Sequence, residues 1–516
     1  MNPPLPAAWQ NYPLPQPDPE PENSATREFL DHQPRFKDDL PPVWEFPDND
    51  DGNAAFALQH IRAQIAYAPE SKSWLIYFKG RWHRDTTGRL GHYCQILSRQ
   101  QIAAADAFKK KLAATLADQI VDEEETSGGT TKFTPGAVKL AARIARRRAE
   151  DIGNEKTISA LLAAASRNGS LVIPAADWDA DPWVIGLKNG VLDLRSRSHR
   201  QGRPQDYITR SMNTEFIPGA TCPEWLKFIA RIMPDPELAD YLQTILGYAL
   251  TGQTSDQAFY FFFGDGMNGK SILIQVMAYL MGEYGGKARS NLIEESRMGA
   301  DPKNDIAQLP GIRFLFGEET KQGARLREEV VKSLVAGDVM TGEPKYCSPF
   351  SFTPVAKLFV MGNHRPRICG TDGGIWRRVR LIPFTQTITP EEAVPPQELL
   401  ERFKAESPGI LNWLLDGLAR WSTGMISMPK SVEDAVREYR QSEDDLGEFL
   451  EECTQDAEAG YKTRKLEIYQ GYCRWAQENG VRMVLTQKQL TRELNGRDGW
   501  KMDLRRECWL GKSLIN

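Results

Sequence analysis

The chain of 516 residues carries 64 Lys and Arg against 69 Asp and Glu, a formal charge of −5, and 41% of its residues are hydrophobic. At roughly 100 to 200 residues per domain, this length suggests about three or four folding units, and the composition excludes collagen, a disulfide miniprotein and wholesale disorder. The 7 cysteines lie far apart with no CxxC pair, which fits reduced thiols rather than a zinc ribbon. The longest apolar run, Ala258 to Phe263, falls far short of the roughly 18 residues that a membrane span needs, and the N-terminus has no basic and apolar leader pattern. A soluble protein of the cytoplasm, with no membrane partner, is expected.

The charge is unevenly laid out. Residues 1–52 hold 12 prolines with 3 basic and 11 acidic residues, a composition that predicts a disordered tail. Residues 430–458 carry 3 basic and 11 acidic residues and read as an acidic linker, whereas 461–516 carry 12 basic and 6 acidic. A basic end behind an acidic linker points to nucleic acid.

From Asn53 to about Asn168 the pattern is mainly helical, interrupted by a short hairpin at Ser73 to His83 around Lys79-Gly80. Helices are expected at 100–122, 136–149 and 155–167. Their clusters Lys109-Lys110-Lys111 and Arg146-Arg147-Arg148 read as exposed helix faces. Trp183 to Leu194 reads as a β-hairpin turning in a type I′ turn at Asn189-Gly190. The acidic run Asp177 to Asp181 before it lies in a polar loop, with no strand to project its carboxylates toward a metal. Helices follow from Cys222 to Leu250.

The chemistry concentrates next. Ala258 to Phe263 is a buried-strand signal that runs into Gly264-Asp265-Gly266-Met267-Asn268-Gly269-Lys270-Ser271 and then the apolar helix 272–281. Strand, Walker A loop and helix stand in the order that a phosphate cradle requires. The glycines let backbone amides close on the phosphates of ATP, Lys270 reaches the β- and γ-phosphates, and Ser271 ligates Mg²⁺. A second strand, 311–316, ends in Glu318-Glu319, which read as Walker B. One carboxylate, assigned to Glu318, holds Mg²⁺ through water; the other, with Glu319 favoured, activates the attacking water. A third strand, 357–362, delivers Asn363, which can polarise that water or sense the γ-phosphate. Arg377 and Arg378, just ahead of a strand, suit an arginine finger, and sequence does not divide the roles between them.

These motifs, together with Leu250-Thr251-Gly252, Lys332 to Asp338, Phe352 to Leu358, Gly362 to Pro366 and Gly374 to Phe384, resemble the superfamily 3 helicases. The nearest likeness is to the satellite-phage and plasmid primase-helicases, related to the poxvirus primase-helicase. Upstream, Asp181-Pro182-Trp183 and Asn189 to Leu194 resemble the helicase-associated domain, so the likeness runs from about Trp74 to Trp421. It implies an α/β fold with a AAA+ P-loop core, a mainly helical N-terminal helicase-associated domain and a C-terminal winged-helix domain. It also implies a hexameric ring with ATP and Mg²⁺ at subunit interfaces, on single-stranded or forked DNA, in a bacterial host cell. A pore hairpin would lie at 342–352, with Lys345 gripping the phosphodiester backbone beside Tyr346. Residues 53–220, 221–425, 426–458 and 459–516 would be the helicase-associated domain, the ATPase, the linker and the winged helix. Many relatives carry a primase domain at the front. Here no strand-borne Asp-x-Asp pair is visible, so helicase activity without primer synthesis is expected, with a primase or other replication protein as a separate partner.

Helical spacing over Lys465 to Gln477, a second helix capped by Thr486, and a wing at Trp500 to Leu514 complete the chain. Lys488 and Arg492 on the second helix, and Arg505-Arg506 on the wing, are the candidate DNA contacts.

Overall fold

The computed structural model describes residues 41–125, 134–295, 302–317, 323–345, 348–368, 373–424, 427–458, 460–479, 484–497 and 499–515. The chain falls into two units, 1–211 and 212–516.

In the first unit, helix α1 (Asp50–Ile61) starts where the Asn49 side chain accepts from the Gly52 amide, with Asp50 and Asp51 in the positive first turn. Strands β1 (Ile65–Ala68), β2 (Ser73–Phe78) and β3 (Arg81–Arg84) form an antiparallel sheet in that order. The predicted hairpin therefore gains a third strand, paired Ile65 to Ile76, which the surrounding helical periodicity hid. Helices α2 (Arg89–Glu125), α3 (Pro135–Asp151) and α4 (Glu155–Ala165) pack with α1 around Phe56, Leu97, Ala149 and Leu161.

Two expectations are corrected here. Residues 41–52, assigned to the disordered tail, are folded: Val43 is buried in the helical core, and Arg148 reaches Asp48 at 2.8 Å and the Pro47 carbonyl at 2.7 Å. Residues 1–40 lie outside the described residues. The arginine cluster is not simply an exposed face, because Arg148 is buried, while Arg146 bridges Asp106 and Glu150.

The second sheet of this unit runs β4 (Val184–Leu187), β5 (Gly190–Asp193), β6 (Ser198–Arg200). Leu187 pairs with Gly190, so the turn residues are Lys188 and Asn189, neither of which has a positive φ. The type I′ turn is thus replaced by one shifted a residue earlier, with Gly190 at φ 146° receiving the strand. The Asp177 to Asp181 loop is structural: Asp179 accepts from the Thr209 amide at 2.9 Å, and Asp181 from the Trp183 amide at 2.9 Å.

The second unit opens on α5 (Pro223–Ile232) and α6 (Pro236–Tyr248) and is built on a parallel sheet. Its strands are β7 (Phe259–Phe263), β8 (Gly285–Ala288), β9 (Phe314–Gly317), β12 (Lys357–Gly362) and β13 (Val379–Pro383), in the spatial order β13-β7-β12-β9-β8. Between them come α7 (Lys270–Met281), α8 (Glu328–Ala336) and the hairpin β10 (Met340–Gly342) with β11 (Phe350–Phe352). Both faces of the sheet are covered, as a parallel sheet requires. One packs Phe259, Phe261, Leu358 and Leu381 against Leu334 and Val335 of α8. The other is an aromatic layer, with Tyr260 stacked on Phe359 at 4.9 Å and Phe314 tilted against Phe359 at 4.8 Å. Helix α9 (Ser407–Ser422) lies against α6 so closely that a Cβ on Gly247 would meet the Leu414 carbonyl at 2.3 Å.

The predicted acidic linker is corrected as well. It contains α10 (Lys430–Ser442) and α11 (Asp445–Cys453), and a thin apolar stripe, Val432, Ala435, Val436 and Tyr439, ties α10 to the sheet core. Helix α11 instead joins the C-terminal core through Leu446 and Phe449. Charged and polar residues fill most of the remaining positions of both helices, which is why composition alone read as linker. After β14 (Thr454–Asp456) and β15 (Lys462–Arg464) come α12 (Lys465–Glu478), α13 (Gln487–Asn495), β16 (Lys501–Met502), β17 (Cys508–Leu510) and β18 (Lys512–Leu514). The sheet order there is β15-β17-β16, over a core of Ile468, Trp475, Leu490 and Trp509. Thr486 caps α13 in a box with Gln489, as its spacing predicts.

Candidate functional site

The loop between β7 and α7 sits at the carboxyl end of a central strand, flanked by β12 and β13, where open α/β sheets hold their ligands. Three of its residues have left-handed backbone, Gly266 at φ 96°, Met267 at 46° and Gly269 at 83°. At Gly269 the reason is also packing, because a Cβ there would stand 2.7 Å from Ile232 Cγ2. Asn268 is buried and donates to the Phe384 carbonyl at 3.3 Å, and the Ile388 amide bonds the Met267 carbonyl at 2.6 Å, so the segment after β13 holds the loop in shape. Asp265 and Ser271 face solvent.

Lys270 opens α7 and is buried. Its amine donates to Gly264 O at 2.7 Å, to Asn268 Oδ1 at 2.9 Å and to Asn363 Oδ1 at 3.4 Å. The last bond crosses from β7 to β12, bringing together two residues that stand 93 positions apart. Left-handed glycines, a helix of 12 residues whose amides open onto the loop, and a buried ammonium meet the chemical needs of a polyphosphate.

Strand β9 starts later than the sequence suggests and ends at Gly317. Its pairing with β12, Val360 opposite Gly317, brings the chain to the same edge of the sheet as Asn363. Glu318 and Glu319 lie outside the described residues. Arg377 and Arg378 precede β13, whose Val379 pairs with Phe259. They are therefore at the opposite end of the sheet from their own P-loop, about 16 Å away at roughly 3.3 Å per residue. Arg377 is exposed, whereas Arg378 turns inward to donate to the Gly374 carbonyl at 2.7 Å.

The hairpin expected at 342–352 is present, with Gly342 paired to Phe350 and Lys345 in its connecting loop; Tyr346 lies outside the described residues. Lys488 and Arg492 stand on α13, and Arg505 and Arg506 are exposed in the loop between β16 and β17. Among the described residues no three His, Cys, Asp or Glu side chains converge as a metal site, and no helix is long and apolar enough to cross a membrane.

Two groups of residues escape a sequence reading. The first is a buried pair of cations. Arg313 donates to Leu250 O at 2.7 Å, and Lys357 bonds Thr251 O and, at 3.1 Å, Val355 O. They gather the carbonyls after α6, and burial pushes the Lys357 amine well below its ordinary pKa, with Arg313 adding to the effect. The second is the strap 363–368 after β12. Arg365 lies 5.1 Å from the ring centres of both Phe263 and Tyr439. The Pro366 carbonyl accepts from the Tyr439 hydroxyl, and Arg367 pairs with Asp445 at 3.4 Å and with Glu443 at 3.9 Å. Burial raises the Glu443 pKa, and Arg367 opposes that shift. The only sequence signal was the run of basic residues and proline after Asn363.

The family description "D5 N terminal like" matches residues 54–234, and a family of unknown function (DUF5906) matches 262–378, which spans the P-loop, Asn363 and both arginines. The chain thus carries a D5 N-terminal-like region followed by a DUF5906 region. Among similar proteins, a candidate helicase of Acanthamoeba polyphaga mimivirus is 27% identical over 325 residues, covering 58% of this chain and 34% of that protein. A candidate primase of African swine fever virus (isolate Pig/Kenya/KEN-50/1950) is 24% identical over 329 residues, with coverage of 58% and 34%. The chain thus spans about a third of the length of the curated relatives it matches. The apo C-terminal region of NrS-1 (305–718) overlays at a TM-score of 0.41 with 10% identity, covering 87% of this chain and 86% of that one.

Proposed function

We propose that this chain is an ATP-driven replicative DNA helicase of a phage or mobile element. Its core is the AAA+ type of superfamily 3, assembled as a hexameric ring that moves 3′ to 5′ on single-stranded or forked DNA. The observation that carries the reading is the Lys270 to Asn363 bond, made possible by a strand inserted between the P-loop strand and the strand leading to Glu318-Glu319. That strand order suits a motor whose γ-phosphate contact and sensor act together.

Bound MgATP supplies the phosphoanhydride bond and the charge that a neighbouring subunit can detect. The loop amides, Lys270 and Ser271 hold it, Glu318 supports the metal through water, and Glu319 with Asn363 orients the attacking water. Arg377 serves the next subunit's site, a role favoured by its exposure and by its distance from its own P-loop. Lys345 on its hairpin grips the DNA backbone, and Asn363 relaxes its hold on Lys270 as phosphate enters. The succession α11-β14-β15-α12-α13-β16-β17-β18, with sheet order β15-β17-β16, supports reading this domain as a winged helix, with Lys488, Arg492, Arg505 and Arg506 toward DNA.

The test is unwinding of a forked duplex with ATP, against a non-hydrolysable analogue and a Lys270→Ala variant. Strand separation with ATP alone, lost in the variant, supports a helicase. Origin binding with both nucleotides and no strand separation supports the second reading, an ATP-switched initiator, for which the basic C-terminal domain is the favouring feature.

A further inference from the structure

Leu504 is the most exposed large hydrophobic side chain among the described residues, standing fully in solvent where the next, Val339, is 71% exposed. It sits at the tip of the β16 to β17 hairpin, on a turn fixed by its own backbone. The Asp503 amide donates to Cys508 O at 3.0 Å and the Arg506 amide to Asp503 O at 2.9 Å. The Asp503 carboxylate accepts from the amides of Glu507 at 3.0 Å and Cys508 at 3.3 Å, and Arg506 takes the left-handed conformation at φ 56°. The base of the hairpin is anchored by Met502 opposite Trp509, which is buried edge-on to Trp500 at 5.3 Å.

A lone exposed leucine usually needs no explanation. This one is presented on a locked turn, and its surroundings select the occupant. Arg505 and Arg506 follow it, Lys462 approaches Asp503 at 3.9 Å, and Lys501 and Arg464 lie on the adjoining strands. Glu507 is the exposed acid nearby. An apolar protein surface would need apolar neighbours around Leu504, and the turn offers cations instead. A partner that is anionic along its rails and apolar between them is a nucleic acid duplex, whose stacked bases lie between two phosphate strands.

We propose that Leu504 is an apolar wedge that enters a base step of duplex DNA beside the strand junction, while Arg505 and Arg506 hold the flanking phosphates. The wedge rests on the reading of the C-terminal domain as a DNA contact, and it gives the wing a task of its own: to unstack the pairs that the motor is about to part.

The experiment uses the full chain and a fork carrying 2-aminopurine at the first paired positions. Binding of the parent brightens the fluorophore. Leu504→Ala is expected to abolish most of that rise and to weaken fork binding by about 5- to 10-fold, with single-stranded affinity and DNA-stimulated ATPase kept. Leu504→Met restores the rise. Arg505→Ala/Arg506→Ala is expected to lower duplex affinity and to reduce the salt dependence by about two phosphates. Undiminished brightening with Leu504→Ala, or none with the parent, overturns the wedge while leaving the arginine contacts standing. Unchanged affinity and salt dependence in the arginine variant instead sink the DNA reading of this domain. A shift in oligomeric mass on Leu504→Ala would assign the side chain to another copy of the chain and overturn the proposal.

Discussion

Replacing Tyr439 tests whether α10 belongs to the core of the parallel sheet. The side chain is buried, packs edge-on to Trp376 at 5.2 Å, lies under the Arg365 guanidinium and donates to the Pro366 carbonyl. Tyr439→Phe keeps the ring and removes one buried hydrogen bond, worth about 1 to 1.5 kcal/mol. Tyr439→Ala also removes the ring, and loss of a buried aromatic costs about 3 to 5 kcal/mol. The same change in a solvated linker would stay within about 0.5 kcal/mol. Urea unfolding followed by tryptophan fluorescence reads the effect, with Trp376 as a local reporter. Because the chain has two units, the transition that contains Trp376 must be compared separately. A Tyr439→Ala variant within about 0.5 kcal/mol of the parent would refute the placement of α10 in the core. So would a Phe variant as damaged as the Ala variant, since the ring would then contribute nothing.

Lys345→Ala is expected to keep basal ATPase and to lose DNA stimulation and unwinding; normal unwinding would move the grip elsewhere. Arg377→Ala should lower ATPase by about 10³-fold in the assembled protein, and mixing it with Lys270→Ala subunits should recover activity, because an intact site then forms at some interfaces. Failure of the mixture to recover would argue against a contact supplied in trans. Arg378→Ala should leave folded-state ATPase nearer the parent and lower thermal stability instead, having lost its bond to Gly374. Burial, with the nearby Arg81 charge, lowers the His83 pKa to about 4. The fold therefore keeps His83 neutral while the unfolded chain, titrating near 6.5, takes up a proton as pH falls. Stability from this group is present above about pH 6.5 and drains toward pH 4, by on the order of 3 kcal/mol. His83→Gln should flatten that limb of the melting-temperature profile, and an unchanged limb would refute it.

The parts legible in the sequence are those with short-range causes. The apolar run at 258–263 and the glycine loop behind it placed β7 and α7, and β12 fell at the predicted 357–362, because strand, turn and helix signals there lie within a few residues of one another. Thr486 with Gln489 fixed α13 in the same way. What was hidden depends on distant partners. The strand at Ile65–Ala68 exists by pairing with β2, and the folding of residues 41–49 depends on Arg148, about a hundred positions away. Four apolar positions among charged and polar residues of both signs hold α10, too few to outweigh its composition. The turn at Lys188-Asn189 shows the same limit on a smaller scale, since Asn-Gly marks a turn without fixing which residue pairs first. At the site, the residue types were readable, but the inward Arg378 and outward Arg377 were separated only by the backbone around Gly374.

The strap after β12 has little slack. Asn363 is bonded to Lys270, Arg365 is sandwiched by two rings, Pro366 is held by Tyr439, Arg367 by Asp445, and Ile368 by Glu443. One residue before Asp445, Asp444 is paired with Arg497, just beyond the end of α13. Thermodynamic linkage then sets a rule of exchange. Whatever factor nucleotide imposes on the C-terminal domain's affinity for its ligand, that ligand must impose on the affinity for nucleotide. A tether this short makes the second measurement as informative as the first: nucleotide affinity, titrated with and without DNA, reports on a surface that the nucleotide never touches.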